Sequence, residues 1–257
     1  ERYRNINLAN FMKVARALSV EFSATFQSPE LSRWMAPVDV NPSEIQKVLK
    51  HARAHGWLEE SESEDKDGAK RLIRYVSEHV SRYGTPSLLR TGLNVKDQPE
   101  DLALLSWKAH ITRKAERIIN DEKPAYRPLE LSWLKELAQL SGRENGPLLA
   151  QAHLKAHGIL LVVERNIPGM EVDGAAFLVE DIPVIGLTLR RNALDNFWFT
   201  LMHEVAHVIL HYRTGLAAGF FDDVENVAVD ELEEEANKFA ADLLVPDELW
   251  SRSPARI

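Results

Sequence analysis

His203, Glu204 and His207 stand in the pentad HEVAH, where two imidazoles and a carboxylate could hold a metal ion and move a proton. The surrounding run, residues 197–212 (FWFTLMHEVAHVILHY), is apolar around most of its circumference if it forms a helix. Its polar residues Thr200, His203, Glu204, His207 and His211 then fall within an arc of roughly 100°. Burying such a stripe is costly unless something satisfies it, and a metal ion would do so. Histidines spaced i,i+4 put their rings on adjacent turns, where both can converge on one cation. Neutral imidazole suits zinc, and Glu204, beside the first ligand, is placed to act as general base on the attacking water without itself ligating. This is the mechanical content of an HExxH helix. The bland alternative is a pair of hydrogen-bonded core histidines beside an unrelated glutamate. Catalytic zinc demands a third protein ligand, so the residues that could supply one decide between the two.

Composition narrows the choice. The chain has no cysteine, so a metal site must draw on His and carboxylate, and disulfides play no part. No apolar run approaches the roughly 18 residues of a membrane span, and no signal-peptide pattern opens the chain. A reducing cytoplasm fits this composition. Residues 1–125 carry 20 Lys+Arg against 18 Asp+Glu, and residues 126–257 carry 11 against 21. A domain that grips DNA by itself shows a basic stripe, which excludes direct nucleic-acid binding as the leading reading. The first residue is Glu1 rather than Met, which suggests a processed or trimmed product.

Other elements must position the site. Periodicity predicts helices over residues 5–26, 43–55, 71–83 and 102–119, with the acidic stretch 59–68 as a solvated loop. Pro124 and Pro128 punctuate the chain, so a boundary is placed near residue 125. Two short helices follow, about 130–140 and 147–157, then a β-branched strand at 159–163. Residues 175–179 and 184–189 read as a hairpin turning around residues 180–183, with Pro183 in the turn or on an edge. A last helix spans 231–244. The expected class is α+β: a helical N-terminal half, residues 1–125, precedes residues 126–257 with a small β-sheet and the HExxH helix.

Residues 231–246, ELEEEANKFAADLLVP, form an amphipathic pattern that starts 24 residues after His207. HEVAH followed by E-x-E-A-N-x-F-A-A-x-L-L-x-P resembles the ImmA/IrrE metallo-endopeptidases, which are gluzincin-like. The hairpin segment DGAAFLVEDIPVIGLTL and the lead-in NFWFTLMHEVAHVILH extend the resemblance over residues 128–246. It implies that residues 126–257 form a zincin-like metallopeptidase domain, with Zn2+ as cofactor, Glu233 as third ligand and Asn237 as the residue that supports the site from behind. Glu231, Glu234 and Glu235 compete with Glu233 by type, but only Asn237 shares its helix face; the other three suit a solvated surface near a helix N-terminus. At the other end, ERYRNIN resembles the segment that closes an XRE-type helix-turn-helix in HigA-like antitoxins, which implies a DNA-binding domain ahead of Glu1.

The resemblance implies a zinc endopeptidase that cleaves one specific partner, such as a repressor or antitoxin, in stress, mobile-element or phage-defence regulation. One strand of the 175–189 hairpin is expected to pair with an extended substrate. His211 and Tyr212 are candidates for holding substrate or an oxyanion, with a structural histidine as the competing role for His211. The alternative is a non-catalytic antitoxin or transcriptional regulator that neutralises a toxin with a peptidase-like domain. Expected partners are thus a protein substrate, toxin or repressor, with homodimer formation a further expectation. DNA is expected only through an upstream helix-turn-helix, and no membrane.

Overall fold

The computed structural model describes residues 41–58, 65–83, 89–91, 102–127, 131–191, 193–212 and 226–245. The helix expected over 5–26 and the helix-turn-helix resemblance at residues 1–7 lie outside them. In chain order the elements are α1 (Pro42–Ala54), α2 (Asp65–Tyr83), β1 (Leu89–Thr91), α3 (Leu102–Glu122), α4 (Leu131–Gln139), a 3-10 turn (Leu140–Gly142), α5 (Gly146–Ala156), β2 (Leu160–Glu164), β3 (Val172–Val179), β4 (Ile182–Thr188), α6 (Leu194–Leu210) and α7 (Asn226–Leu244). This is the expected mixture of helices with one small sheet. Among the described residues, no helix is long and apolar enough to cross a membrane.

The helices begin and end where their sequences allow. The Asn41 side chain accepts from the Ser43 amide at 3.0 Å, satisfying one of the free N–H groups at the start of α1. Gly56, at φ 66°, turns the chain out of that helix. Helix α2 starts at Asp65, inside the stretch expected to be a loop. Acidic residues suit the positive end of a helix dipole as well as they suit solvent.

The sheet has the order β1-β3-β4-β2, with β4 parallel to β2 and antiparallel to β3. A two-residue turn, Glu180 at φ 50° and Asp181 at φ 66°, joins β3 to β4. Both central residues of a type I′ turn need positive φ, and that turn matches the twist of the strands. The turn is shorter than expected, and Pro183 lies within β4 opposite Leu178. Pairs alternate along an antiparallel ladder, so next to the turn-closing pair Val179–Ile182 the missing N–H of Pro183 faces away from β3. Pairing with β2 begins only at Val184, so no ladder bond is lost.

Register assigns the faces. Gly186 lies opposite Ala175, and a Cβ on Gly186 would meet Trp107 of α3 at 3.0 Å. Gly174 lies opposite Leu187, and a Cβ there would meet Thr200 of α6 at 2.7 Å. The sheet is therefore covered by α3 on one face and α6 on the other. On the α6 side, Leu161, Ala176, Ile185 and Leu187 pack with Trp198, Leu201, Met202, Val205 and Val208, and with Trp133, Leu137 and Leu154 from α4 and α5. On the other side Trp57 stacks on His110 of α3 with ring centroids 4.3 Å apart, tying the end of α1 to α3.

These contacts cross the boundary expected near residue 125. Helix α3 packs on β2, β3 and β4. The expected linker is itself held: the Arg127 amide donates to the His157 carbonyl at 3.3 Å, and Ala125 lies against Gly158, where a Cβ would come within 2.3 Å of its carbonyl oxygen. Prolines stop helices, but they do not by themselves separate cores.

Candidate metal centre

Helix α6 carries the polar stripe into the interior. Thr200, His203, Glu204, His207 and His211 are all buried, at 2 % exposure or less. Helix α7 packs along α6 in the opposite sense: His203 meets Asn237 while His207 meets Glu233.

Three ligand-type atoms converge. His203 Nε2 and His207 Nε2 lie 3.0 Å apart, Glu233 Oε2 is 3.1 Å from the first, and Glu233 Oε1 is 3.3 Å from the second. Ligands of a tetrahedral zinc with bonds of about 2.0–2.2 Å stand about 3.3–3.6 Å apart, so the triangle is close to that size and slightly tight. Among the described residues this is the only group of three or more His, Cys, Asp or Glu that could hold a metal ion.

The rear nitrogens explain why a cation fits. His203 Nδ1 faces Asn237 Oδ1 at 3.1 Å, an acceptor, so that nitrogen donates. His211 Nε2 faces Glu235 Oε2 at 3.0 Å, and His211 Nδ1 faces His207 Nδ1 at 3.0 Å. An ionised carboxylate only accepts, so His211 donates through Nε2, and as a neutral imidazole it then accepts at Nδ1 from His207 Nδ1. Both ligand histidines thus spend their Nδ1 protons behind them and turn Nε2 lone pairs toward one another and toward the Glu233 carboxylate. A proton on one ring relieves one pair at a time, whereas a divalent cation at the centre relieves all three. Burial alone would raise the Glu233 carboxyl; without a cation, only protonated His203 and His207, donating through Nε2 and carrying charge, overcome that and hold its pKa at about 2. The site is built around positive charge.

Glu204 is fully buried and lies against β3. A Cβ on Gly174 would come within 2.9 Å of Glu204 Oε1, so the glycine makes room for the carboxylate beside the strand. The adjacent Asp173 is gripped by Arg190 through two contacts, at 3.1 and 3.2 Å, which fixes this part of β3 to the chain leaving β4.

The protein families add one finding. Residues 154–256 match the model of the IrrE N-terminal-like domain, peptidase family M78. The chain carries an ImmA/IrrE-type, metallopeptidase-like domain. A comparison with curated proteins gives no match. The match begins inside α5 and takes in β2, β3, β4, α6 and α7, so this IrrE-like domain contains the whole triad. β1 and α3, which complete the sheet and cover its second face, lie outside the matched segment.

The structure brings His203, His207, Glu233 and Asn237 to one place, and buries Glu204, on the same helix as both histidines, against β3. It gives the two candidates for oxyanion or substrate contact other partners. His211 stands behind His207, on the side of the ring remote from the triad. The Tyr212 hydroxyl donates to the Asp181 carbonyl at 3.2 Å, and its ring stacks on Tyr126 with centroids 5.2 Å apart. The hairpin offers a free edge along only part of its length. β4 is flanked on both sides, and β1 covers β3 from Val172 to Ala175. Among the described residues only the stretch of β3 from Ala176 to Val179 has no strand on that side. Glu235 and Gly174 are the contributors that sequence reasoning passed over. Gly174 carried a usable signal, since a glycine inside a strand often marks a close approach. Glu235 carried none.

Proposed function

We propose that the protein is a zinc-dependent endopeptidase whose metal is held by His203, His207 and Glu233, with Glu204 as general base. The observation that carries this reading is the triangle of ligand atoms with both rear nitrogens already committed as donors, beside a buried glutamate that does not belong to the triangle. Two neutral imidazoles and one carboxylate, with no thiolate, make a donor set suited to catalytic zinc.

Zinc bound there supplies Lewis acidity, which acidifies water and polarises a carbonyl oxygen. The chain's own residues do the rest. Glu204 takes a proton from the attacking water as its oxygen bonds to the scissile carbonyl carbon, and returns it to the amine nitrogen as the C–N bond breaks. Burial of Glu204 beside Gly174 fixes where that proton can be taken and delivered. Asn237 holds the His203 ring from behind, with Nε2 toward His207 and Glu233, where a metal would be bound.

The substrate is one protein partner, a repressor or antitoxin, met in the cytoplasm. This part of the reading rests on the ImmA/IrrE resemblance and the absence of cysteine. The test uses wild-type and Glu204→Gln protein, each loaded with zinc and incubated in a lysate of the source cells, with new N-termini read by mass spectrometry. Wild type produces a small set of cleavage products that Glu204→Gln does not. Equal products from both, or from neither, overturn the proposal.

A further inference from the structure

We propose that Glu235 and His211 form a positioning relay that locks the His207 ring, so that metal affinity depends on a surface glutamate which does not touch the metal. The inference rests on the zinc reading of the triad and extends it outward by two side chains.

The relay is a directed chain. The Glu235 carboxylate accepts from His211 Nε2–H at 3.0 Å, and His211 Nδ1 accepts from His207 Nδ1–H at 3.0 Å. His207 is left with its Nε2 lone pair aimed at the triad, 3.0 Å from His203 Nε2 and 3.3 Å from Glu233 Oε1. Remove the Glu235 acceptor and nothing fixes which nitrogen of His211 bears the proton. His211 can then offer N–H to His207 Nδ1, and His207 can answer only by moving its own proton to Nε2, where it blocks the metal.

His211 is suited to the task by its surroundings. It is 2 % exposed, at the end of α6, where its backbone N–H bonds the His207 carbonyl at 3.1 Å. Backbone and ring of His211 are therefore both tied to His207. Its ring centroid lies 5.2 Å from that of His207. Glu235, by contrast, has a side chain 63 % exposed, so its removal should not disturb the core. The two ligand histidines are supported differently. His203 leans directly on Asn237, while His207 leans on a histidine that itself needs a carboxylate. Glu233, Glu235 and Asn237 all lie on α7, so a short stretch of one helix supplies a ligand and both supports.

The test measures zinc affinity by chelator competition and the visible absorption of the cobalt-loaded protein, with no substrate needed. The full chain is used as wild type, His211→Ala, Glu235→Ala, Glu235→Gln, Glu234→Ala and the His211→Ala/Glu235→Ala double variant. His211→Ala weakens zinc binding about 10–100-fold, the range for lost outer partners of metal-binding histidines, and alters the cobalt spectrum. Glu235→Ala weakens it less, in the same direction, and adds nothing in the His211→Ala background. Glu235→Gln retains an oxygen acceptor and recovers most of the affinity, and Glu234→Ala matches wild type. Zinc affinity for Glu235→Ala equal to that of Glu234→Ala overturns the relay even if His211→Ala folds poorly, as do additive losses in the double variant. A wild type that holds no zinc overturns the metal reading beneath it, and that outcome is distinct from both.

Discussion

Gly174→Ala should separate catalysis from metal binding. The added methyl would stand 2.7 Å from Thr200 Cγ2, 2.8 Å from Leu187 Cδ2 and 2.9 Å from Glu204 Oε1. Carbon atoms sit comfortably at about 3.5–4.0 Å, so the overlap is roughly 0.7–1 Å. Thr200 and Leu187 are each 1 % exposed and cannot swing into solvent. Relief must come from α6 lifting off β3 by a similar distance. Overpacking of this kind costs about 1–3 kcal/mol, and at about 2–4 °C per kcal/mol for a chain of this size the melting temperature falls by roughly 2–12 °C. Glu204 moves with α6, and a catalytic group misplaced by about 1 Å costs roughly 100-fold in rate. Zinc affinity changes far less, because all three ligands ride on α6 and α7, which move together. Calorimetry, chelator competition and the lysate cleavage assay read the three quantities. Gly142→Ala is the control, since a Cβ there meets nothing within 4 Å. If Gly174→Ala melts and cleaves like that control, the close approach of helix and strand has no bearing on the reaction.

Three further outcomes follow from charge and backbone geometry. Lys108 of α3 is 5 % exposed, with its ammonium 5.3 Å from the centre of the Phe177 ring, and desolvation lowers its pKa to about 8. Its folded pKa lies below the unfolded value, so the penalty is full below pH 8, fades as the pH climbs toward 10.5, and amounts to up to roughly 3 kcal/mol. Lys108→Met should raise stability at pH 7 in chemical denaturation, with an advantage over wild type that shrinks toward pH 10; an advantage constant with pH refutes this account. Burial would raise the Glu164 carboxyl, but His110 and Lys114 overcome it and hold its pKa at about 2. The stability this confers, roughly 1–3 kcal/mol, is present above pH 4.5 and is lost as pH falls toward 2, and Glu164→Gln should remove that part of the acid sensitivity. Asp181, at φ 66°, holds a left-handed conformation that glycine adopts without strain. Asp181→Gly should therefore stabilise by roughly 0.5–1 kcal/mol, and a loss would show that the turn is not strained.

The sequence disclosed the α6 side of the site because helical periodicity alone gathers Thr200, His203, Glu204, His207 and His211 into one stripe. It could not choose among Glu231, Glu233, Glu234 and Glu235 by residue type; the family pattern favoured Glu233, which is where the structure brings a carboxylate to the two imidazoles. Glu235 stayed hidden because it lies far around α7 from Glu233 and looks like any solvated glutamate. The partners of α3 stayed hidden for a related reason. Residues 102–112 are buried almost without interruption, which says that α3 is covered on several sides but not by what. Its cover includes β2, β3 and β4, whose sequence comes dozens of residues later.

Strand β1 sets a limit on how the molecule can be dissected. Cutting it down to residues 154–256 would strip β1 from β3 and take Trp107 away from Gly186. The excised piece would present unpaired backbone along one border and a bare apolar sheet surface, both invitations to self-association. Soluble expression of residues 154–256 alone should fail unless the preceding helix and strand travel with them.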